Sequence, residues 1–228
     1  MKKIINILIF VLVLLFISNI IINYPQLRDY ISIRKLDDKN KKDIRVLNKQ
    51  NKNVLLKVKI PDTHIDYPVV RAKDNYYYLN HDINGKYNQY GSIFIDYREY
   101  ANPFSFKNLI LYGHNMGRWN HLMFGDLMKY LDYSFFKKHR FVYLYKKGKC
   151  EKYQIESVFK VKDTFLPYVI KWDSDKQFLE WQENIKVKSM YCGLVNDFKI
   201  SNSNKFLTLS TCTYGDGKEK MVVTARLK

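Results

Sequence analysis

From Asn53 onward the chain is written in short apolar, β-branched runs separated by Gly, Asn, Asp and Pro, and that punctuation leaves few ways to fold. Eight runs read as strands: Val54 to Ile60, Tyr67 to Arg71, Ser92 to Asp96, Asn108 to Tyr112, Phe141 to Tyr145, Glu151 to Val161, Lys205 to Cys212 and Lys220 to Leu227. So many short strands in one small domain predict a mainly β barrel or sandwich, since an open sheet leaves edge donors and acceptors unpaired. Two helical stretches interrupt them. "HLMFGDLMKYL" follows the fourth strand, and "DSDKQFLEWQENIKVKSM" lies between the sixth and seventh. The latter opens with cap-type Asp173 and Ser174 and carries Phe178, Trp181 and Ile185 on one face. It sits in a connection long enough to carry function.

Ahead of this domain, Lys2 and Lys3 precede an apolar run from Ile4 to Ile22, interrupted only by Asn6, Ser18 and Asn19. As a helix it would rise about 28 Å, close to the ~30 Å hydrocarbon thickness of a bilayer. The run is longer than a signal-peptide core and no A-x-A-like site follows, so residues 4–22 are expected to be an uncleaved transmembrane signal anchor. The lysines favour a cytoplasmic tail at residues 1–3, with Arg28, Arg34 and Lys35 as the opposing vote. Leu27, Tyr30, Ile31, Leu36, Ile44 and Leu47 recur at helical spacing, so 23–52 is read as a juxtamembrane helical segment and 53–228 as the exported domain. The formal charge of +17, from 39 Lys and Arg against 22 Asp and Glu, must sit on the surface. For an exported chain this implies anionic lipid or an anionic wall rather than nucleic acid.

The chemistry starts from three cysteines, Cys150, Cys192 and Cys212, of which at least one must be free even if Cys150 pairs with Cys192. Cys212 ends the seventh strand and enters a glycine-containing loop. A cysteine is nucleophilic as its thiolate, so a working site supplies an imidazole and positive charge. Of five histidines, His114 in "LILYGHNM" is best placed, just past the fourth strand. If the fourth and seventh strands are neighbours, the two side chains meet at one rim. No His or Cys spacing suggests a metal site, no phosphate loop is present, and no cofactor is expected.

These residues resemble a known family. "TLSTC" and "YGHNM" are similar to the cysteine and histidine motifs of sortases, the membrane-anchored cysteine transpeptidases of Gram-positive bacteria, and "YYYLNHDINGKYNQYGSIFIDYRE" resembles class B in particular. The likeness covers the chain from about Asn53 and implies a closed eight-stranded barrel with peripheral helices. It makes Cys212 the nucleophile and His114 the acid–base group. The family's third catalytic group is an arginine opening the last strand; the matching position, before "MVV", is Lys220. Lysine keeps the charge without the planar fork. Arg226 shares its strand parity but lies ~20 Å further along, and stays open as the alternative. The resemblance also implies substrate contacts at Asn80, Tyr112, Thr164, Tyr168, Val169 and Ser210.

The expected activity is cleavage of a sorting motif after its threonine on an exported protein, followed by transfer of the acyl group to the amine of a peptidoglycan precursor or wall peptide. The enzyme would be a single-pass membrane protein with its N-terminus in the cytoplasm and its domain facing the cell wall. Two rivals remain at this point. One is a secreted cysteine protease that passes the acyl group to water; the other is an impaired basic module that binds wall polymers.

Overall fold

A computed structural model describes residues 6, 9–13, 16, 44–101, 104–117, 121–162, 166–194, 198–213 and 219–228. Its eight strands are β1 (Val54–Lys59), β2 (Asp66–Arg71), β3 (Ile93–Ile95), β4 (Asn108–Tyr112), β5 (Phe141–Lys146), β6 (Lys149–Lys162), β7 (Phe206–Cys212) and β8 (Glu219–Leu227). They close into one barrel in the order β1-β2-β3-β4-β7-β8-β6-β5. Pairing is antiparallel except for β2 with β3 and β4 with β7. The second parallel pair matters most, because it brings two chain segments far apart in sequence side by side with their C-terminal ends at the same rim.

Alternation along the strands sorts side chains into two layers. Leu207 and Leu209 of β7, Leu109 and Leu111 of β4, and Met221, Val223 and Ala225 of β8 point into the barrel, where they join the largest apolar cluster. Phe206, at the start of the outward set on β7, is also buried, because a helix covers it. This helix, α2 (Asp175–Val187), has Ser174 as its N-cap, whose side chain accepts from the Gln177 amide. Phe178, Trp181 and Ile185 all face the barrel. The Trp181 and Phe206 rings meet edge-on, 5.0 Å between centroids.

The segment "HLMFGDLMKYL", read as helical, is wound as a 3₁₀ helix over Gly125–Leu131. Asp126 explains the tighter winding. Its side chain is fully buried and takes His64 Nδ1 at 2.9 Å, His121 Nδ1 at 2.9 Å and Lys129 Nζ at 3.0 Å, pinning the first turn to the barrel. A short α1 (Tyr133–Lys138) follows, capped by Asp132. Residues 44–50 are helical and pack on the barrel, with Ile44 fully buried beside Tyr143 and Tyr145. Most of the expected membrane segment, and the stretch 23–43 after it, lie outside the described residues. Residues 6, 9–13 and 16 are helical, and among the described residues no helix is long and apolar enough to cross a membrane. Among the described residues no disulfide joins Cys150, Cys192 or Cys212, so Cys150 and Cys192 are not linked.

Candidate active site

Register alone assembles the site. Tyr112 of β4 pairs with Ser210 of β7, so His114 and Cys212 each follow two residues later on adjacent parallel strands. Across the other ladder Cys212 pairs with Lys220, the second residue of β8. Between Tyr112 and His114 stands Gly113, whose inward side has no room for a methyl: a Cβ would collide with the Ile93 side chain and come within 2.9 Å of the Phe124 ring. Glycine lets β4 run hard against the core and still present the next side chain outward.

The groove has a volume of ≈ 440 Å³, and Cys212, His114, Lys220, Tyr112, Tyr168 and Ser210 all line it. Lys220 Nζ donates to Cys212 Sγ at 3.0 Å. An ammonium at that distance stabilises the negative charge a nucleophilic sulfur carries. His114 Nε2 lies 2.7 Å from the Leu79 carbonyl oxygen. Since a carbonyl can only accept, Nε2 carries the proton in this contact. The Asn115 side-chain amide donates to the Cys212 carbonyl at 2.9 Å, tying the segment after His114 to the end of β7.

One wall is a turn of 3₁₀ helix, Leu166–Tyr168, held by side chains from β4, from β7 and from the turn that follows β3. Asn108 Nδ2 donates to Pro167 O at 3.1 Å and Val169 O at 2.9 Å, and Thr208 Oγ1 donates to Asn108 Oδ1 at 2.9 Å. Asp96, buried at the end of β3, receives Arg98 Nε at 2.8 Å and Nη2 at 2.9 Å and the Tyr112 hydroxyl at 2.9 Å. Arg98 Nη2 also reaches Tyr168 O at 2.9 Å. Burial works against ionisation of Asp96, yet the Arg98 hydrogen bonds prevail and hold its carboxyl below the ordinary range. Burial, with Asp96 next to it, pushes the Tyr112 phenol far up, so it remains a donor. The Tyr168 hydroxyl and Ser210 Oγ lie 2.9 Å apart, closing the network onto β7.

Not every expected residue joins this wall. Asn80 is exposed one position beyond the 3₁₀ turn Tyr77–Leu79, and its neighbour Leu79 is the residue that lines the groove. Val169 faces the adjoining surface depression with Phe106 and Lys171 and contributes its carbonyl to Asn108. Thr164 lies outside the described residues. Arg226 is remote from Cys212: it pairs with Phe206 at the far end of β7, and its guanidinium holds buried Glu156 through Nε at 3.0 Å and Nη2 at 2.8 Å. The two cations share a strand parity but lie at opposite ends of β8, and Lys220 is the one beside Cys212.

Leu79, Asn115, Asp96, Arg98 and Asn108 were not selected from sequence. Leu79 acts through its carbonyl, which every residue type has, so no side-chain signal existed. Asp96 and Arg98 had one: an Asp-x-Arg pair directly after a strand, spaced for a local bidentate contact.

The sortase domain family model matches residues 58–228. Sortase B of Listeria monocytogenes is 36% identical over 189 residues, covering 81% of this chain and 74% of the relative. The solved structure of Clostridium perfringens sortase B is 30% identical with a TM-score of 0.73, over 81% of this chain and 98% of that one. A Staphylococcus aureus sortase B–substrate complex is 28% identical with a TM-score of 0.73, over 92% of this chain and 97% of the other. Fold, motif order and these likenesses agree: the chain belongs to the sortase family, on its class B branch, and is a cysteine transpeptidase.

Proposed function

We propose that Cys212 is the nucleophile of this transpeptidase, His114 its acid–base group and Lys220 the cation in the family arginine's place. The substrate is an exported protein carrying a sorting motif. Sγ attacks the carbonyl carbon after the motif's threonine, and a C–S bond forms. The amide C–N bond then breaks as His114, protonated at both ring nitrogens, gives one proton to the departing amine and becomes neutral. An incoming wall amine attacks the thioester, His114 takes up a proton, and the sulfur leaves as thiolate. Lys220 supports charge on sulfur and on the developing oxyanion. The single observation carrying this reading is the 3.0 Å contact of Lys220 Nζ with Cys212 Sγ, in a groove that His114 also lines.

The acceptor assignment draws support from a similar structure of sortase B complexed with triglycine, 28% identical with a TM-score of 0.73. We place the enzyme at the cell membrane, with 4–22 as anchor, the N-terminus inside and residues 53–228 toward the wall. Supporting this, the described side chains of the run other than Asn6, Ile9, Phe10, Leu12 and Phe16 among them, are apolar and exposed.

Incubation of the full chain with candidate sorting peptides, followed by intact mass, tests the chemistry. An acyl adduct on Cys212 that a glycine-type amine discharges is expected. Turnover by folded Cys212→Ala would overturn the nucleophile, and discharge by water alone would make the protein a protease. Protease added to wall-stripped cells should digest the domain; its protection would reverse the orientation.

A further inference from the structure

Next to the groove lies a second cavity, of ≈ 550 Å³, between the end of the helical residues 44–50 and the C-terminal end of β2. Arg71 and Lys73 line it, with amide side chains from Gln50, Asn51, Asn53 and Asn84. Tyr100 steadies both cations, its ring centroid 5.1 Å from Arg71 Cζ and 5.9 Å from Lys73 Nζ. Arg71 Nε donates to Asn53 Oδ1 at 3.3 Å, which leaves the Nη edge of the guanidinium for other acceptors. Among the described residues neither cation is within ion-pair distance of a carboxylate. Asp74, the one acidic residue on the wall, is engaged elsewhere: its Oδ1 accepts the Tyr76 and Tyr77 amides at 2.8 and 2.7 Å, bonds that hold its carboxyl below the ordinary range. The remaining titratable groups are phenols, and burial keeps that of Tyr78 protonated.

We propose that this cavity binds an oxyanion, carboxylate or phosphate, on the same acceptor whose amine discharges the thioester. The inference rests on the transpeptidase reading above. Two cations among amide donors form a site in which Arg71 offers two parallel N–H groups and Lys73 a point charge. The connection to the chemistry is a shared wall. Lys73, Asp74, Tyr77 and Tyr78 line the cavity, whereas Asn75 and Leu79 of the same segment line the groove. Leu79 also holds His114 through its carbonyl. An acceptor lying across this segment has its amine beside Cys212 and its anionic end between Arg71 and Lys73.

Two measurements on the full chain test the assignment. In transpeptidation, a glycine-chain amine is compared as free carboxylate, carboxamide and phosphoethyl amide. The carboxylate and phosphate forms should have an acceptor KM about tenfold below the carboxamide at equal kcat, as expected for one charge-assisted contact. Arg71→Gln and Lys73→Gln should erase that difference, whereas Lys199→Gln, an exposed control, should keep it. Separately, calorimetric titration with inorganic pyrophosphate should show binding that Arg71→Gln weakens about tenfold. Equal KM for the three acceptors overturns the proposal, as does a difference that survives both cavity variants. If no peptide is turned over, the transpeptidase roles fail instead, and pyrophosphate binding that both variants leave unchanged still rejects the cavity on its own.

Discussion

At the scale of single residues, the informative comparison is between two cations on the same face of β8. Lys220 touches the proposed nucleophile, so Lys220→Ala should lower the acylation rate about a hundredfold, the ~3 kcal/mol typical of losing one oxyanion-type donor. Lys220→Arg should keep or raise the rate, because a fork makes two contacts where an ammonium makes one. Arg226 belongs to stability. Removing it leaves buried Glu156 with weakened compensation from Arg140, whose Nη2 stands 3.5 Å away. Arg226→Ala should therefore cost about 3 kcal/mol in denaturant unfolding with little change in rate per folded molecule. Equal activity losses at the two positions would refute this division of labour. A third residue, Glu99, sets a pH dependence. Burial pushes its carboxyl from 4.5 up to about 7, against the Phe104 amide that donates to it at 2.9 Å. Between those values the folded protein holds a proton that the unfolded chain has released, so stability falls as pH rises through the window, by ~3 kcal/mol at most. Glu99→Gln keeps an acceptor for Phe104 and should flatten that fall between pH 5 and 8 in urea titrations.

At the scale of elements, the turn Leu166–Tyr168 is held to the barrel chiefly by Asn108 and by the Asp96–Arg98 pair. Asn108→Ala leaves buried carbonyls and the Thr208 hydroxyl unmatched and should cost ~2 kcal/mol. Because it frees the wall that carries Tyr168, sorting-peptide KM should rise more than kcat falls; a pure kcat loss would contradict the positioning role. The elements also show which parts of the fold could be read in advance. β4 runs from Asn108 to Tyr112 as its apolar run announced, and α2 starts at its cap. β3 is shorter than its run of apolar residues suggested, because Asp96 leaves the ladder to cap the next turn by accepting the Arg98 amide. The 3₁₀ winding at Gly125 depends on a buried carboxylate gathering partners from three segments, which no local periodicity records. Cys212 and Lys220 were legible as the two ends of one strand connection. The wall around them was not, since Asn108 and Arg98 act on backbone carbonyls more than fifty residues away.

At the scale of the whole molecule, the barrel is larger than its strands. Ile44 is fully buried, Leu47 packs against two apolar clusters, and Asn48 Nδ2 donates to Val54 O at 2.7 Å. A chain trimmed to begin at Asn53 loses these contacts, worth roughly 2–4 kcal/mol of apolar burial, so its Tm should fall roughly 5–10 °C below that of a chain keeping residues 44–52. An unchanged Tm in differential scanning calorimetry would show that the segment merely rests on the surface. The order of strands sets a schedule as well. β7 is inserted between β4 and β8, so in a chain synthesised N-terminus first the half of the groove bearing His114 waits for the last strands to be made. Until β8 is made Cys212 lacks its ammonium, and a nascent or C-terminally clipped chain carries a thiol without that support. Maturation is thus timed by the tail of the polypeptide. In pulse alkylation during refolding, Cys212 should reach its native labelling rate together with amide protection of β8, and an earlier arrival would show that the site forms without that strand.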